Sequence, residues 1–246
     1  MSNDGFIEFG FGDNDESIGT QKFERFKGKE GENYRVSFVW WNTKPDGTPD
    51  LDSKTPRFVA AKRIYIPGVG YVLDKGPEYA QFGQSKVNIA TIIVAWPLNR
   101  KGELDKDRFV GGDVSVMPWI FGKDKYEQLR RRHDEFPFGS YDMTIACTDT
   151  QYQKMDLSPC RESLYRKLFS PELAVKMKGL TDSISAQVDA IGKDMNNILA
   201  RDVSIEKIRE KLGGAPASSG SRGGGGGGHA ANAAKSAAID DLLNDV

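Results

Sequence analysis

The sequence predicts an α+β protein: a mainly β core in the form of a small barrel with elaborations, then C-terminal helices and a disordered tail. Three observations carry this. Short runs rich in β-branched and aromatic residues, each closed by turn chemistry, recur from Tyr34 to Leu157. Past Pro159 the apolar spacing changes to the three-and-four step of an amphipathic helix. Beyond Leu212 the chain becomes glycine and alanine, with little to bury.

Residues 1–20 combine glycine and three phenylalanines with five acids and no Lys or Arg, which predicts an acidic flexible arm. Tyr34–Trp41 (YRVSFVWW) is the first strand, ended by NTKPDGTPDLD at 42–52. Arg57–Ile66 is the second, and Pro67-Gly68-Val69-Gly70 turns it back into Tyr71–Asp74 as a hairpin. Val87–Trp96 (VNIATIIVAW) is almost continuously apolar, the pattern of a strand covered on both faces, and PLNRKG (97–102) closes it. Gly122–Phe136 holds helix formers with Tyr126, Leu129 and His133 on one side. Tyr141–Cys147 and Gln151–Leu157 alternate, and Thr148-Asp149-Thr150 joins them as a second hairpin. Ile184, Val188, Ile191, Met195 and Ile198 make the stripe of a long helix, and Ser204 caps a last helix carrying Ile205, Ile208 and Leu212. The expected organisation is arm (1–20), core (21–168), helical extension (169–212), Gly/Ala-rich linker (213–238) and acidic tip (239–246).

Composition narrows the function. The 246 residues include 34 basic and 35 acidic side chains, for a net charge of −1, but the charge is sorted. Residues 21–168 carry 25 basic against 20 acidic residues, together with 21 of the 25 aromatic rings, so any stacking on bases belongs there. Two cysteines, Cys147 and Cys160, make neither a disulfide scaffold nor a four-ligand zinc site. The longest apolar stretch, Ile89–Pro97, is too short for a membrane span and no leader pattern opens the chain. A soluble intracellular protein with no membrane role is expected.

Enzyme signals are missing from the pattern. His133 sits in a charged helix and His229 in the glycine linker, so no nucleophile–histidine pair forms. The pairs Gly10/Gly12 and Gly68/Gly70 do not continue as a phosphate loop. Asp50/Asp52 and Asp105/Asp107 lie in turns and read as solvated loop, not as divalent-ion sites, and Cys147 reads as a small buried hydrophobe. No enzymatic activity, cofactor or metal is expected.

Single-strand binders need cations along the phosphates and rings on the bases. The middle block interleaves both: Trp40, Trp41, Arg57, Lys62, Arg63, Tyr65, Tyr71, Lys86, Trp96, Arg100 and Lys101 are the candidate nucleic-acid-binding residues. A place in the core is the alternative for each ring. Arg130-Arg131-Arg132 is the densest basic run, but it lies among acids on a helix and reads as a solvated face. At the C-terminus Ile239, Leu242, Leu243 and Val246 take helical spacing, with Asp240, Asp241 and Asp245 between them. An apolar stripe backed by acid on a flexible tether suits a peptide that folds into a partner's groove.

These features together resemble the single-stranded-DNA-binding (helix-destabilising) proteins of T-even-like bacteriophages. The terminal IDDLLNDV (239–246) is close to that family's acidic tip. Phe121-Gly122-Lys123 before Tyr126–Leu129, IIVAWPLNRKGEL (92–104) and the run Tyr34–Trp41 are similar to family segments in the same order. The resemblance implies an OB-like five-stranded barrel that binds single-stranded DNA without sequence preference in replication, recombination and repair. It also implies a tip that recruits polymerase, helicase-loading and recombinase partners, in the cytoplasm of an infected bacterial host. Two departures matter. Where the family often carries a Cys/His zinc insert, Tyr71–Tyr79 (YVLDKGPEY) has neither residue, so a metal-free hairpin is expected. Where the family often has a basic arm for cooperative binding, residues 1–20 are acidic, and the helices at 160–212 are the alternative source of self-association. Two other functions compete: an RNA-binding or RNA-chaperone protein, suggested by Ser221-Arg222-Gly223, and an adaptor that docks by its tip without binding nucleic acid.

Overall fold

The computed structural model describes residues 23–148 and 155–213. The acidic arm at 1–20, most of the second hairpin's turn, His229, the linker beyond Gly213 and the tip at 239–246 lie outside the described residues.

Strand β1 (Asn33–Phe38) opens the sheet, and β2 (Val59–Ile66) and β3 (Gly70–Leu73) form the expected hairpin. A 3-10 helix (Pro77–Phe82) leads to β4 (Lys86–Trp96), and a short helix α1 (Lys106–Val110) to β5 (Ser115–Gly122). Helix α2 (Lys123–Glu135) precedes the pair β6 (Met143–Cys147) and β7 (Met155–Pro159). Four helices follow: α3 (Leu164–Leu168), α4 (Pro171–Lys176), α5 (Lys178–Leu199) and α6 (Ile205–Lys211). The α+β class is therefore present, with helices concentrated after the strands. Among the described residues no helix is long and apolar enough to cross a membrane.

The seven strands form one antiparallel, open sheet in the order β3-β2-β4-β1-β6-β7, with β5 also on β4. Among the described residues seven strands pair, against six runs that read as strands in the sequence and five in the barrel that the resemblance implies; the strand the sequence hides is β5. Pro118 interrupts SVMPWIFG and argues against a strand there. The Pro118 carbonyl accepts from the Phe26 N–H at 3.0 Å, so in an antiparallel ladder its missing N–H also faces away from β4 and breaks no ladder bond.

Strand β4 organises the sheet. Its first half pairs with β2 (Lys86↔Arg63 to Ala90↔Val59) and its second half with β1 (Ile93↔Phe38 to Trp96↔Arg35). The other edge carries β5, from Asn88↔Gly122 to Ala95↔Ser115. Being surrounded, Ala90, Ile92, Ile93 and Val94 are fully buried, which is why the run is apolar without alternation. Helix α5 lays Ile184, Ile191, Met195 and Ile198 into the same core as β4 and β5. Gly192 allows close approach: a Cβ there would meet Trp40 Nε1 at 3.2 Å. A second, smaller core gathers Ile64, Ile66, Val69, Val72, Tyr79 and Ile208 under the hairpin, and α6 supplies Ile208.

One polar network is sealed inside. The Asp142 carboxylate, fully buried, accepts from Arg35 Nε at 2.9 Å, from the Leu164 N–H at 3.0 Å and from Ser37 Oγ. Ser37 Oγ in turn accepts from Trp96 Nε1 at 2.8 Å. Burial holds the Asp142 carboxyl above the usual carboxylate range, against the opposing pull of Ser37, the Leu164 N–H and Arg35. The network ties β1, β4, the approach to β6 and the start of α3 at one point.

Candidate nucleic-acid interface

The pleat of β2 decides which candidates meet. Side chains alternate across a strand, so Val59, Ala61, Arg63 and Tyr65 share one face, and Lys62, Ile64 and Ile66 the other. Register extends the first face: Tyr71 lies opposite Tyr65, and Lys86 opposite Arg63. Tyr65, Tyr71, Arg63 and Lys86 are therefore neighbours. Both tyrosines are exposed, at 53% and 40%, and their ring centroids lie 5.1 Å apart at an interplanar angle of 57°. A tilted aromatic pair on an open ribbon face is a surface on which a planar base can lie.

Behind the rings the face is cationic. Arg63 stacks its guanidinium 3.8 Å from the Tyr71 centroid, donates from Nε to Asn88 Oδ1 at 2.7 Å and from Nη1 to the Leu199 carbonyl at 2.6 Å. Arg25 Nη2 donates to the Ile198 carbonyl at 2.8 Å. Two arginines thus meet the unsatisfied carbonyls at the C-terminal end of α5, where the helix dipole favours positive charge. Burial pushes the Arg63 guanidinium down to about 10, with nearby Arg25 adding to the fall and Tyr71 opposing it. Burial also lowers Arg25, and Tyr71 again opposes. Both remain cations at neutral pH. The chain leaving α5 seals the ribbon's outer edge: Arg201 N–H donates to the Tyr71 carbonyl at 3.0 Å and the Leu73 N–H to the Arg201 carbonyl at 2.9 Å. Gly70 is required here, since its φ is +96° and a Cβ would come within 3.0 Å of Arg201 Nη2.

The other candidates are dispersed. Lys62 points to the opposite face, 3.1 Å from Asp74 Oδ2, beside an open cleft of about 660 Å³ lined by Ile64, Pro77, Gln84 and Ser85 among others. At Asp74 burial raises the carboxyl, but hydrogen bonds from Lys62, Ser85 and the Gly76 N–H outweigh it and leave the group below its usual range. Trp40, Trp41 and Trp96 are buried, at 5%, 4% and 3% exposure, so the core alternative describes all three. Trp41 Nε1 donates to the Phe38 carbonyl at 2.7 Å, and Arg57 covers Trp40 at 4.8 Å from the ring centroid. Arg100 and Lys101 are exposed on the loop after β4, while Lys86 begins that strand. A rise of ~3.3 Å per residue separates the two groups by roughly 30 Å along the strand.

The remaining sequence features settle as structure. Arg130 and Arg132 pair with Glu127 and Glu135 on the exposed side of α2, as a solvated face does. His133 Nδ1 accepts from the Phe138 N–H at 3.1 Å, which leaves Nε2 to donate to the Lys54 carbonyl. Asp105 caps α1 and Asp52 pairs with Lys44 and Arg166. Among the described residues no group of three or more His, Cys, Asp or Glu is arranged to hold a metal ion. Arg25 and Arg201 were not among the sequence candidates. Nothing local marks them, since their roles depend on where α5 ends.

Comparison with protein-family models, with curated protein sequences and with solved structures yields no match to this chain.

Proposed function

We propose that this protein binds single-stranded DNA without sequence preference, as a helix-destabilising protein of the T-even-like phage type. The observation that carries the reading is the exposed Tyr65–Tyr71 pair with Arg63, Arg25 and Lys86 around it. Rings supply sequence-tolerant stacking, and the exposed Lys86 supplies affinity for phosphate. An OB-like barrel belongs to the same proposal. Its support is the segment before β1, which bridges the sheet's separated parts: Phe26 N–H reaches Pro118 on β5, while Gly31 and Glu32 exchange hydrogen bonds with Cys147 on β6. Recruitment of polymerase, helicase loader and recombinase through Ile239, Asp240, Asp241, Leu242, Leu243, Asp245 and Val246 is proposed from the sequence, as is a place in the cytoplasm of an infected host.

The test is titration with oligo-dT, oligo-rU and duplex DNA at two salt concentrations. Preference for oligo-dT over duplex is expected, with affinity falling as salt rises by about 0.7 logarithmic units per decade for each phosphate neutralised. Tighter binding to oligo-rU would assign the site to RNA. A salt slope of zero, or tighter binding to duplex, would remove this reading.

A further inference from the structure

We infer that Arg63 is a positioning residue that ties the Tyr65–Tyr71 platform to the end of α5, and is not a phosphate contact. The inference rests on the reading of the site as a single-strand binder. Arg63 is only 7% exposed. Its Nε is spent on Asn88 Oδ1, its Nη1 on the Leu199 carbonyl, and its flat face on the Tyr71 ring at 3.8 Å. The charge already sits against the negative end of a 22-residue helix. A cation so covered does not reach a phosphate, so it displaces none of the counterions condensed on the DNA and adds nothing to the salt slope. What it does is hold a ring. Of the two tyrosines, Tyr71 is the one pinned on its inner side, and the stacking places its free face outward.

The tie has two strands that separate by mutation. The backbone bridge between Arg201 and β3, at 3.0 Å and 2.9 Å, is a second link between the hairpin and the chain leaving α5. Losing Arg63 leaves that bridge as the remaining link, frees the Tyr71 ring and loosens the last turn of α5, so the bridge opens more often without detaching β3. Since α5 packs across β4 and β5, the order of the binding face becomes a property of the helical extension as well as of the sheet.

The experiment uses the full chain with Arg63→Gln, Arg63→Lys, Tyr71→Phe, Tyr71→Leu and Lys86→Gln. Two quantities are read: oligo-dT affinity against salt, and amide exchange at Tyr71–Leu73 and Ala200–Arg201 without DNA. Arg63→Gln is expected to weaken binding about 5- to 30-fold at unchanged slope. Exchange should rise at both segments together. Arg63→Lys should fall short of wild type, because an ammonium lacks the planar fork. Tyr71→Phe keeps the ring over Arg63, so amide exchange at both segments should stay at its wild-type level. Lys86→Gln should lower the slope by about 0.7, marking what a true phosphate contact looks like. If Arg63→Gln does not fold, Tyr71→Leu removes the ring from the other side and should raise exchange at Ala200–Arg201. A slope reduced by Arg63→Gln as by Lys86→Gln, unchanged affinity, or exchange confined to one segment overturns the inference. Should wild-type protein fail to bind oligo-dT, the reading of the site falls, while the exchange data still decide whether the tie exists.

Discussion

Removing the Asp142 carboxylate is expected to be among the most damaging single changes in this fold, while neutralising it is expected to be cheap. Asp142→Ala strips the acceptor from Ser37 Oγ, the Leu164 N–H and Arg35 Nε together. The Arg35 side chain is 20% exposed and finds water, but Ser37 is fully covered. Breaking a buried pair in this way costs about 3–5 kcal/mol. Asp142→Asn keeps the shape. Its Oδ1 can accept from Arg35 and Leu164, and its Nδ2 can donate to Ser37 Oγ, whose second lone pair is open to it. Because burial already disfavours the ionised form, losing the charge costs little beside losing the whole group. The sign of the pH dependence follows. The native carboxyl lies above its unfolded value, so between the two the folded state binds more protons, and stability falls as pH rises through that window. The wild-type-minus-Asn difference isolates this from Asp46, Asp52, Asp74 and Glu206, which are held low and act in the opposite direction. Urea unfolding from pH 4 to 7 reads all of it, provided the dependence on denaturant is unchanged between variants. An Ala variant within 1 kcal/mol of wild type, or an Asn variant as damaged as Ala, would refute the reasoning.

Tyr65→Ala and Tyr71→Ala should each weaken oligo-dT binding by about 1–3 kcal/mol with the salt slope and urea midpoint nearly unchanged, since both rings are exposed; unfolding instead would make them structural. Replacing Arg100 and Lys101 by Gln should leave the affinity for a short oligo-dT untouched, as they lie at the far end of β4, and a loss in fluorescence titration would place DNA there too. Gly28→Ala sets a Cβ against Cys147 Sγ and should lower the thermal midpoint, while adding Cys147→Ala should restore part of the loss. Protein purified without chelator should carry well under one zinc per chain by elemental analysis, and a stoichiometric zinc whose removal lowers the melting temperature would contradict this.

The parts of the fold legible in sequence are those whose signal is local. Val87–Trp96 shows no alternation because both of its faces are covered, and α5 shows its stripe because one side meets β4 and β5. The turn at 67–70 likewise announces the hairpin that presents Tyr65 and Tyr71. β5 is hidden by Pro118, whose compatibility depends on which edge its nitrogen faces, a tertiary fact. The tryptophans mislead for the same reason: a ring at a strand's end is core or surface according to what packs on it, and Trp40 is covered by Gly192 of α5 and by Arg57. Arg25 and Arg201 carry no pattern at all. Arg25 matters because the Ile198 carbonyl ends a helix beside the hairpin, and Arg201 because its backbone meets β3 there.

The pairing of β1 with both β4 and β6 has a consequence for the nascent chain. β1 is made well before its partners, which are Ile93–Trp96 on one edge and Met143–Ala146 on the other. At about 5–20 residues per second, Tyr34 and Val36 wait on the order of ten seconds for the second edge to be synthesised. The buried Asp142 network closes only when Leu164 emerges, and the main core only when α5 does. Maturation is therefore gated by the last third of the described chain, and a product released before residue 143 would present one unpaired side of β1 to any strand it met.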